Sequence, residues 1–593
     1  MGRQAKQYEE ARKDAEAFFR GDSLRTELFL SRYALRTLDG RWLETTPDRM
    51  WDRVAGAMAR PEKDRAAWRR AFRRLLEEFQ FVPAGRILFG ARNPRAATLF
   101  NCYFIPVRED SVEGITRWIR EASRTFSLGG GVGTNIDVLR PRGARVRNAG
   151  VESSGSASFM EVFSTVTGVM GGSRGRRGAL MITTRVDHPD ILEFITAKGD
   201  PERRQLRNAN LSVRIPDDFM RTLQEEGEVR LGFTTPHERI ERKVPAVRVW
   251  QALVESAWAT AEPGVLFWDT VLRESTSQYH GMEVRGVNVC GEIPMEPYGA
   301  CNLGSVNLAA FVRDPFTERA DLHWDGLTGA VRLAVRFLDN VIDVGAPRHA
   351  LRDQRLASMR SRRIGLGILG LADCLAALNL VYGSEPSLRM VDRLMGAVKE
   401  AAYEESIRLA EEKGPFPAFD PVRHLSSPFI RRLPEPIRNG IRTKGLRNCA
   451  LLAVAPTGTT SCLAGASSGI EPIFSLSYLR HVAGQAYKVE HPLAARYRER
   501  HGPSAPFPET FATAREISPD ARVRLQSLVQ RHVDQSISST VNLPAETPLS
   551  TVDSLYRKAW ESGCKGITVF RAGSRASVLE AAGEGVYRAV AGA

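Results

Sequence analysis

An α/β architecture preceded by a helical domain is the fold class this 593-residue sequence predicts, and three observations predict it. From about Ala11 to Glu78 apolar residues recur at spacings of three and four, the mark of amphipathic helices. Beyond Phe79 the texture changes to short apolar runs punctuated by glycine, and these alternate with helical stretches such as 249–260 and 327–342. The length calls for several domains or one unusually large one, since a domain usually takes roughly 100–200 residues. The expected organisation is a helical N-terminal domain over 1–80, a large α/β domain over 81–575 and a short tail over 576–593.

In chain order, the N-terminal helices are carried by Asp48-Arg-Met-Trp-Asp-Arg-Val-Ala-Gly-Ala-Met-Ala and Trp68-Arg-Arg-Ala-Phe-Arg-Arg-Leu-Leu-Glu-Glu-Phe. The glycine-punctuated runs at 127–139 and 171–184 open the α/β part. Proline-rich stretches at 413–421 and 502–508 read as surface connections, because proline cannot donate to a ladder or a helix. No internal repeat and no low-complexity linker interrupts the pattern.

Composition narrows the function classes. A chain 43% hydrophobic and 26% charged is an ordinary globular one, which disfavours disorder, collagen and coiled coil. Seven cysteines are too sparse and odd in number for a secreted disulfide framework, so a cytoplasmic location is expected. The first residues lack the apolar stretch of a signal peptide, and no run approaches the ~18 apolar residues of a membrane span. A net charge of +14 invites a nucleic-acid reading, yet it comes from 72 arginines against 11 lysines, scattered through the chain rather than gathered in a tail. Direct nucleic-acid binding is therefore not expected, and anionic small substrates remain open.

The most informative stretch is Asn288-Val-Cys-Gly-Glu292, followed by Gly299-Ala-Cys301-Asn-Leu-Gly-Ser. Alternation along an extended segment would put the amide of Asn288, the thiol of Cys290 and the carboxylate of Glu292 on one face. The plainer alternative is a buried apolar Cys290 with Glu292 on a solvated edge. Zinc is a poor explanation for Cys290 and Cys301, since the chain has no Cys-x-x-Cys and no His-Glu-x-x-His. Cys102, in Thr98-Leu-Phe-Asn-Cys-Tyr-Phe, lies in a similar strand-like run. A second cluster, Ala453-Val-Ala-Pro456-Thr457-Gly458-Thr459-Thr460-Ser461, reads as a strand breaking into a hydroxyl-rich turn before a helix. Such a turn presents N–H and hydroxyl groups to an anion, though Ser/Thr-Gly turns are also common helix caps. The glycine-rich segments lack the spacing of a dinucleotide fold. Arg174, Arg176 and Arg177 in the second suit a phosphate-binding loop or a solvated turn equally.

Taken in order, these segments resemble the ribonucleotide reductases, specifically the adenosylcobalamin-dependent class II enzymes. The resemblance runs from about Phe81 to Arg575 and is carried by Asn101-Cys102, Gly129-Gly-Gly-Val-Gly-Thr-Asn-Ile, residues 171–181, His188-Pro-Asp-Ile-Leu-Glu-Phe, Asn210-Leu-Ser-Val, Asn288-Val-Cys-Gly-Glu292, Cys301-Asn-Leu-Gly-Ser, residues 455–461, Ser468-Gly-Ile-Glu-Pro472 and Lys565-Gly-Ile-Thr-Val-Phe-Arg571. It implies a ten-stranded α/β barrel with a finger loop carrying Cys290 to its centre. Adenosylcobalamin would homolyse its cobalt–carbon bond, and the resulting radical would take hydrogen from Cys290. The thiyl radical would then abstract the 3′-hydrogen of the substrate ribose. Glu292 would act as general base on the 3′-hydroxyl, Asn288 would bond the ribose hydroxyls, and Cys102 and Cys301 would give two electrons and become a disulfide. Asn101, Gly131 and the loop Pro456, Thr457, Gly458, Thr459, Thr460 and Ser461 match substrate-binding positions. Asp110, Arg140 and Arg147 match contacts to a deoxynucleoside triphosphate effector at a dimer interface, and the 171–178 loop matches the relay to the substrate. A homodimer that reduces ribonucleoside diphosphates is thus implied, with no metal held by protein ligands.

Departures from the family pattern carry their own expectations. Val289 stands where the family usually has proline, and Phe89-Gly-Ala-Arg92 where relatives often have Asn-Ala-Gly. No ATP-cone is recognisable, so overall on/off regulation by ATP and dATP is not expected. The last cysteine is Cys564, which leaves residues 580–593 without the Cys-x-x-Cys that re-reduces many relatives. Either the chain continues, or a thioredoxin-type protein, a separate shuttle or a small thiol supplies electrons. Cys374, Cys449, Cys462 and Cys564 receive no role. A class I-type large subunit, radicalised by a partner protein, would want an adjacent Tyr-Tyr pair, and Phe570 stands in the corresponding run. A glycyl-radical enzyme would want a C-terminal cysteine cluster. A catalytically inactive nucleotide-binding regulator would not need Asn288, Cys290, Glu292, Cys102 and Cys301 intact. Asp321-Leu-His-Trp-Asp-Gly326 formally fits a cobalamin lower-ligand pattern, but without the separate domain that pattern belongs to it reads as a chance match.

Overall fold

The computed structural model describes residues 5–95, 97–146, 150–171, 178–200, 206–235, 238–278, 282–482, 485–574 and 579–581. Helices Tyr8–Phe18, Ser23–Leu28, Pro47–Met58 and Arg65–Leu76 form the N-terminal part. Asp22 and Asp64 cap two of them by accepting from Arg25 N and Ala67 N, and Pro47 opens a third, where its missing N–H costs nothing. Their apolar faces join one core through Phe19, Phe29, Trp51, Phe72 and Leu75.

The domain docks through buried charge as well as apolar packing. Arg336, on the 22-residue helix Trp324–Gly345, is fully buried and pairs with Glu62 at 2.8 Å. Lys413 Nζ and Asn340 Nδ2 donate to the same carboxylate, each at 2.8 Å. Phe72 packs edge-on against Phe337 of that helix. An ion set this deep is stable only when every charge is matched, which fixes where the helical domain sits.

The predicted barrel is present. Cys102–Phe104, Gly131–Asn135, Leu180–Arg185, Ala209–Ile215 and Gly264–Phe267 form five parallel neighbours in chain order. Helices Val112–Ser127, Ser156–Met170, Ile191–Thr196 and Ala246–Thr260 lie between successive strands, as parallel pairing demands. Ala300–Asn307 pairs antiparallel with Cys102–Phe104 at one end of this set, and Gly566–Arg571 pairs antiparallel with Gly264–Phe267 at the other. Within the second half, Ala300–Asn307 is parallel to Ile364–Leu369, and Thr540–Leu543 to Gly566–Arg571. Parallel bridges from Leu366 to Leu452 and from Val454 to Ile537 close the ring through the 452–454 segment. Ten strand positions thus encircle the centre, in two antiparallel halves of five.

Asp534 secures the closure. Its buried carboxylate accepts from Leu451 N, Leu452 N and Gln535 N, each at 2.8 Å, and from the Tyr403 hydroxyl. Lys565 Nζ donates to the carbonyls of Asp534 and Gln535 at 2.6 Å. Here the Lys565-Gly-Ile motif has a structural use.

Through the ring passes a hairpin in which Gly286-Val287 pairs antiparallel with Pro294-Met295. The barrel wall admits it where side chains are missing. A Cβ on Gly133 would lie 1.7 Å from Val287 O, one on Gly131 2.7 Å from Val289 Cγ2, and one on Gly286 2.1 Å from Phe104 Cε2. Glycine at 131 and 133 is therefore a clearance requirement for the hairpin. Gly133→Ala is expected to lose about 3 kcal/mol or more of stability in chemical denaturation, or to fail to fold. Gly232→Ala, where no atom lies within 4 Å of the new Cβ, should be close to neutral and serves as the control.

Candidate active site

At the hairpin tip the chain turns. Asn288 O accepts from Gly291 N at 3.3 Å, Asn288 N donates to Ile293 O at 3.2 Å, and Gly291 takes φ +79°, a left-handed value that suits glycine. Asn288, Cys290 and Glu292 therefore meet on a tight turn, not on one face of an extended strand. The alternation argument assumed an extended segment, and the structure differs because Gly291 reverses the chain between these residues. Asn288 Oδ1 accepts from Ile293 N at 3.0 Å, and Ser536 N donates to Glu292 O at 2.8 Å, so both arms of the tip are pinned.

Under the turn lie the other two thiols. Cys102 and Cys301 are direct partners across the antiparallel pair, and such partners have Cα atoms about 4.5–5.5 Å apart, within the span a disulfide needs. No disulfide joins any of the seven cysteines. Asn288 Nδ2 donates to Cys102 Sγ at 3.0 Å, and the Cys102 thiol points at Glu292 Oε1, 3.9 Å away. Cys102 and Cys301 are buried, whereas Cys290 on the turn is partly exposed. The barrel interior around them is apolar, lined by Phe104, Ile293, Met295, Leu303 and Ala453.

Burial governs the electrostatics. It pushes the Glu292 carboxyl up to about 7, against the partial relief of hydrogen bonds from Asn288, its own backbone and Cys102. Glu292 Oε2 is buried without a hydrogen-bond partner, an acceptor open to a hydroxyl placed above the turn. Burial also raises the Cys102 thiol well above its ordinary range, with Glu292 adding to the effect. The centre can thus hold a proton on Glu292 near neutral pH and keeps Cys102 and Cys301 as neutral thiols.

Residues 22–96 match the ribonucleotide reductase all-alpha domain, and residues 100–570 match the ribonucleotide reductase barrel domain. The chain belongs to the ribonucleotide reductases. It is 37% identical over 571 residues to the vitamin B12-dependent ribonucleoside-diphosphate reductase of Mycobacterium tuberculosis, covering 92% of this chain and 78% of the relative. The like-named protein of Thermoplasma acidophilum is 33% identical, over 86% of this chain and 66% of the relative. The ribonucleoside-diphosphate reductase subunit alpha of Chlamydia muridarum is 27% identical, over 91% of this chain and 58% of the relative.

The other positions that the sequence singles out are placed as follows. Asn101 has a buried Oδ1 without a hydrogen-bond partner. Thr457 takes φ +48° and its Oγ1 accepts from Gly469 N at 3.0 Å, while the hydroxyls of Ser461 and Ser468 lie 2.8 Å apart. Thr460 Oγ1 donates to Thr457 O at 3.1 Å, at the start of the short helix Thr460–Ala464, and Pro456 and Gly458 are exposed. Asp110 and Arg140 form an ion pair, with Nε 2.6 Å from Oδ2. Arg147, Arg174, Arg176 and Arg177 lie outside the described residues, as do most of loop 171–178 and the end of the chain. The neck of that loop is nevertheless defined, since a Cβ on Gly171 would stand 1.9 Å from Gly178 N.

Sequence reasoning missed several contributors to this reductase. Tyr33 Oη hydrogen-bonds Thr459 Oγ1 at 2.7 Å, and Arg25 Nε donates to Leu463 O at 2.9 Å, so the helical domain braces the 457–461 loop. His188 bridges Leu139 O and Asp190 N, and Asp190 accepts from Arg142 N and from Ser156, ordering the segment around Arg140. No periodicity announces contacts between residues hundreds of positions apart.

The Glu292 shift has a measurable sign. The folded protein holds this proton up to about pH 7, whereas an unfolded glutamate releases it near 4.5, so the folded state binds more protons in between and stability falls as pH rises through that window. The loss is on the order of 3 kcal/mol. Glu292→Gln removes the titration, and its stability relative to the parent should therefore rise between pH 5 and pH 8 in urea unfolding; a pH-independent difference would contradict the shift.

Proposed function

We propose that the chain reduces ribonucleoside diphosphates to 2′-deoxyribonucleoside diphosphates by thiyl-radical chemistry dependent on adenosylcobalamin. The observation that carries the reading is the cross-strand pair Cys102 and Cys301 beneath a turn that brings together Asn288, Cys290 and Glu292. The names of the relatives that match most of the chain support both the cobalamin dependence and the diphosphate substrate.

Adenosylcobalamin, when bound, supplies a radical that removes hydrogen from the Cys290 thiol. Cys290 suits that donation because it is the most exposed of the three thiols at the turn, while the apolar barrel beneath it excludes water. The Cys290 thiyl takes the 3′-hydrogen of the ribose. Glu292 Oε2 accepts the 3′-hydroxyl proton, and the Asn288 amide orients the hydroxyls. The 2′-hydroxyl leaves as water, and Cys102 and Cys301 supply two electrons and two protons and become a disulfide. The 3′-hydrogen then returns from Cys290, so one ribonucleotide and one dithiol yield one deoxyribonucleotide, one water and one disulfide.

The loop Pro456, Thr457, Gly458, Thr459, Thr460 and Ser461 would hold the substrate phosphates, with Thr457 accepting from Gly469 and keeping its own proton to donate. Asn101 Oδ1 and the Gly131 backbone would complete the pocket. The enzyme would act in the cytoplasm as a homodimer joined through Val112–Ser127 and Ser156–Met170, whose side chains Val112, Val162, Val169 and Met170 are exposed. A deoxynucleoside triphosphate effector would bind at Asp110, Arg140 and Arg147, and a thioredoxin-type dithiol, a shuttle protein or a small thiol would reduce the pair.

The test is anaerobic reduction of CDP and CTP with dithiothreitol, with and without adenosylcobalamin. Activity is expected on CDP and only with the cofactor, rising with pH through about 7 as Glu292 ionises. Cys290→Ser should lose about a thousandfold or more. Equal rates without cobalamin, or an active Cys290→Ser protein, would overturn the reading.

A further inference from the structure

The two reducing thiols have unlike neighbours. Cys102 faces a carboxylate, with Glu292 Oε1 3.9 Å from its Sγ. On the other flank Asn302 pairs with Ile364 in the parallel ladder, so one step back along both strands sets Cys301 beside Arg363. Cys301 Sγ would lie only 3.2 Å from a Cβ on Gly365, which shares a face with Arg363 two residues earlier. Arg363 is 2% exposed, and its head group is held by Glu296 Oε2 at 2.7 Å, Ser277 Oγ at 2.9 Å and Gln535 Oε1 at 3.4 Å. Its Nε is a buried donor with no hydrogen-bond partner.

We propose that Arg363, clamped by Glu296, makes Cys301 the leaving end of the oxidised Cys102–Cys301 pair, so that an incoming thiol attacks Cys102. The proposal rests on the reading of these two cysteines as the reducing pair and adds the direction of their regeneration. A reductant thiolate attacks Cys102 Sγ, the bond to Cys301 breaks, and its electron pair leaves on Cys301 Sγ beside the guanidinium. The second thiol of the dithiol reductant then displaces Cys102, both cysteines take up protons, and the reductant departs as a disulfide.

Two further features favour this direction. Cys102 keeps 5% of its surface and Cys301 none, so the attacked sulfur is the more accessible one. Burial raises both thiols and Glu292 adds to the rise at each; a buried cation, Arg363, opposes it at Cys301, whereas Cys102 has only the neutral amide of Asn288 to oppose it. Burial also works against the charge of Arg363, yet the ion pair with Glu296 holds the group as a cation. A thiol of lower pKa is the better leaving group in exchange.

The test uses the full chain carrying Cys290→Ser, so that it does not depend on radical chemistry. Diamide oxidation should give a Cys102–Cys301 disulfide; its absence by peptide mapping would remove the pair and this proposal with it. Partial reduction by 2-mercaptoethanol, quenched in acid, should leave the adduct on Cys102 in about tenfold excess. An even split or an excess on Cys301 overturns the proposal. In the Arg363→Gln/Glu296→Gln double variant, which removes both charges and keeps a hydrogen-bonding pair, reduction by dithiothreitol at pH 7 should slow about three- to tenfold with its pH profile displaced upward. Arg363→Lys should recover most of the rate. An unchanged rate and profile in the double variant would reduce Arg363 to a structural ion pair.

Discussion

Everything at the centre of this molecule depends on a steric clearance. A hairpin can cross a closed ring of strands only where the wall has no side chain to spare, and Gly131, Gly133 and Gly286 provide that passage. Once inside, the hairpin has no freedom left: its arms pair with each other, its tip is pinned by Ile293 and Ser536, and Val289 rests on the bare backbone of Gly131. Proline is therefore not needed at 289 to stiffen the turn, because the surrounding wall already does so.

Buried charge does the remaining positioning. Arg336 with Glu62, Arg363 with Glu296, and Asp534 with three backbone N–H groups are each removed from water and would be costly if any partner were lost. Each joins segments far apart in the chain, the first tying domain to barrel, the second sheet to hairpin base, the third the strands that close the ring. Hydrophobic packing alone is non-directional and would tolerate small slips at these joints. The charged clamps set register where chemistry needs it to within a fraction of an ångström.

Much of this was legible in the chain. Helical periodicity before Glu78 and glycine-broken apolar runs after it are local signals, and they led to the observed fold class. The cluster at the hairpin tip was legible as motifs, since an amide, three thiols and a carboxylate in fixed order are rare enough to be recognised, and the structure brings them together. Their arrangement was not, because alternation assumes an extended chain and Gly291 reverses it. The glycines at 131 and 133 were visible, but their reason lay 150 residues away in Val287 and Val289. Arg363 gave no signal, as a charged residue ahead of an apolar strand reads as a solvated edge until the sheet is assembled around it. Tyr33 and Arg25 likewise looked like ordinary helix residues, because their partners on the 457–463 segment are some 430 positions further on.

Those last two contacts change what counts as the catalytic unit. The hydroxyl of Tyr33 and the guanidinium of Arg25 reach the turn and short helix beside the centre, so the helical domain supplies part of the wall against which that loop is formed. A barrel cut away from its first hundred residues would keep the three thiols, Asn288 and Glu292 and lose the buttress of the 457–461 loop. The two parts can be told apart in sequence, yet mechanically the loop and the helical domain are one unit.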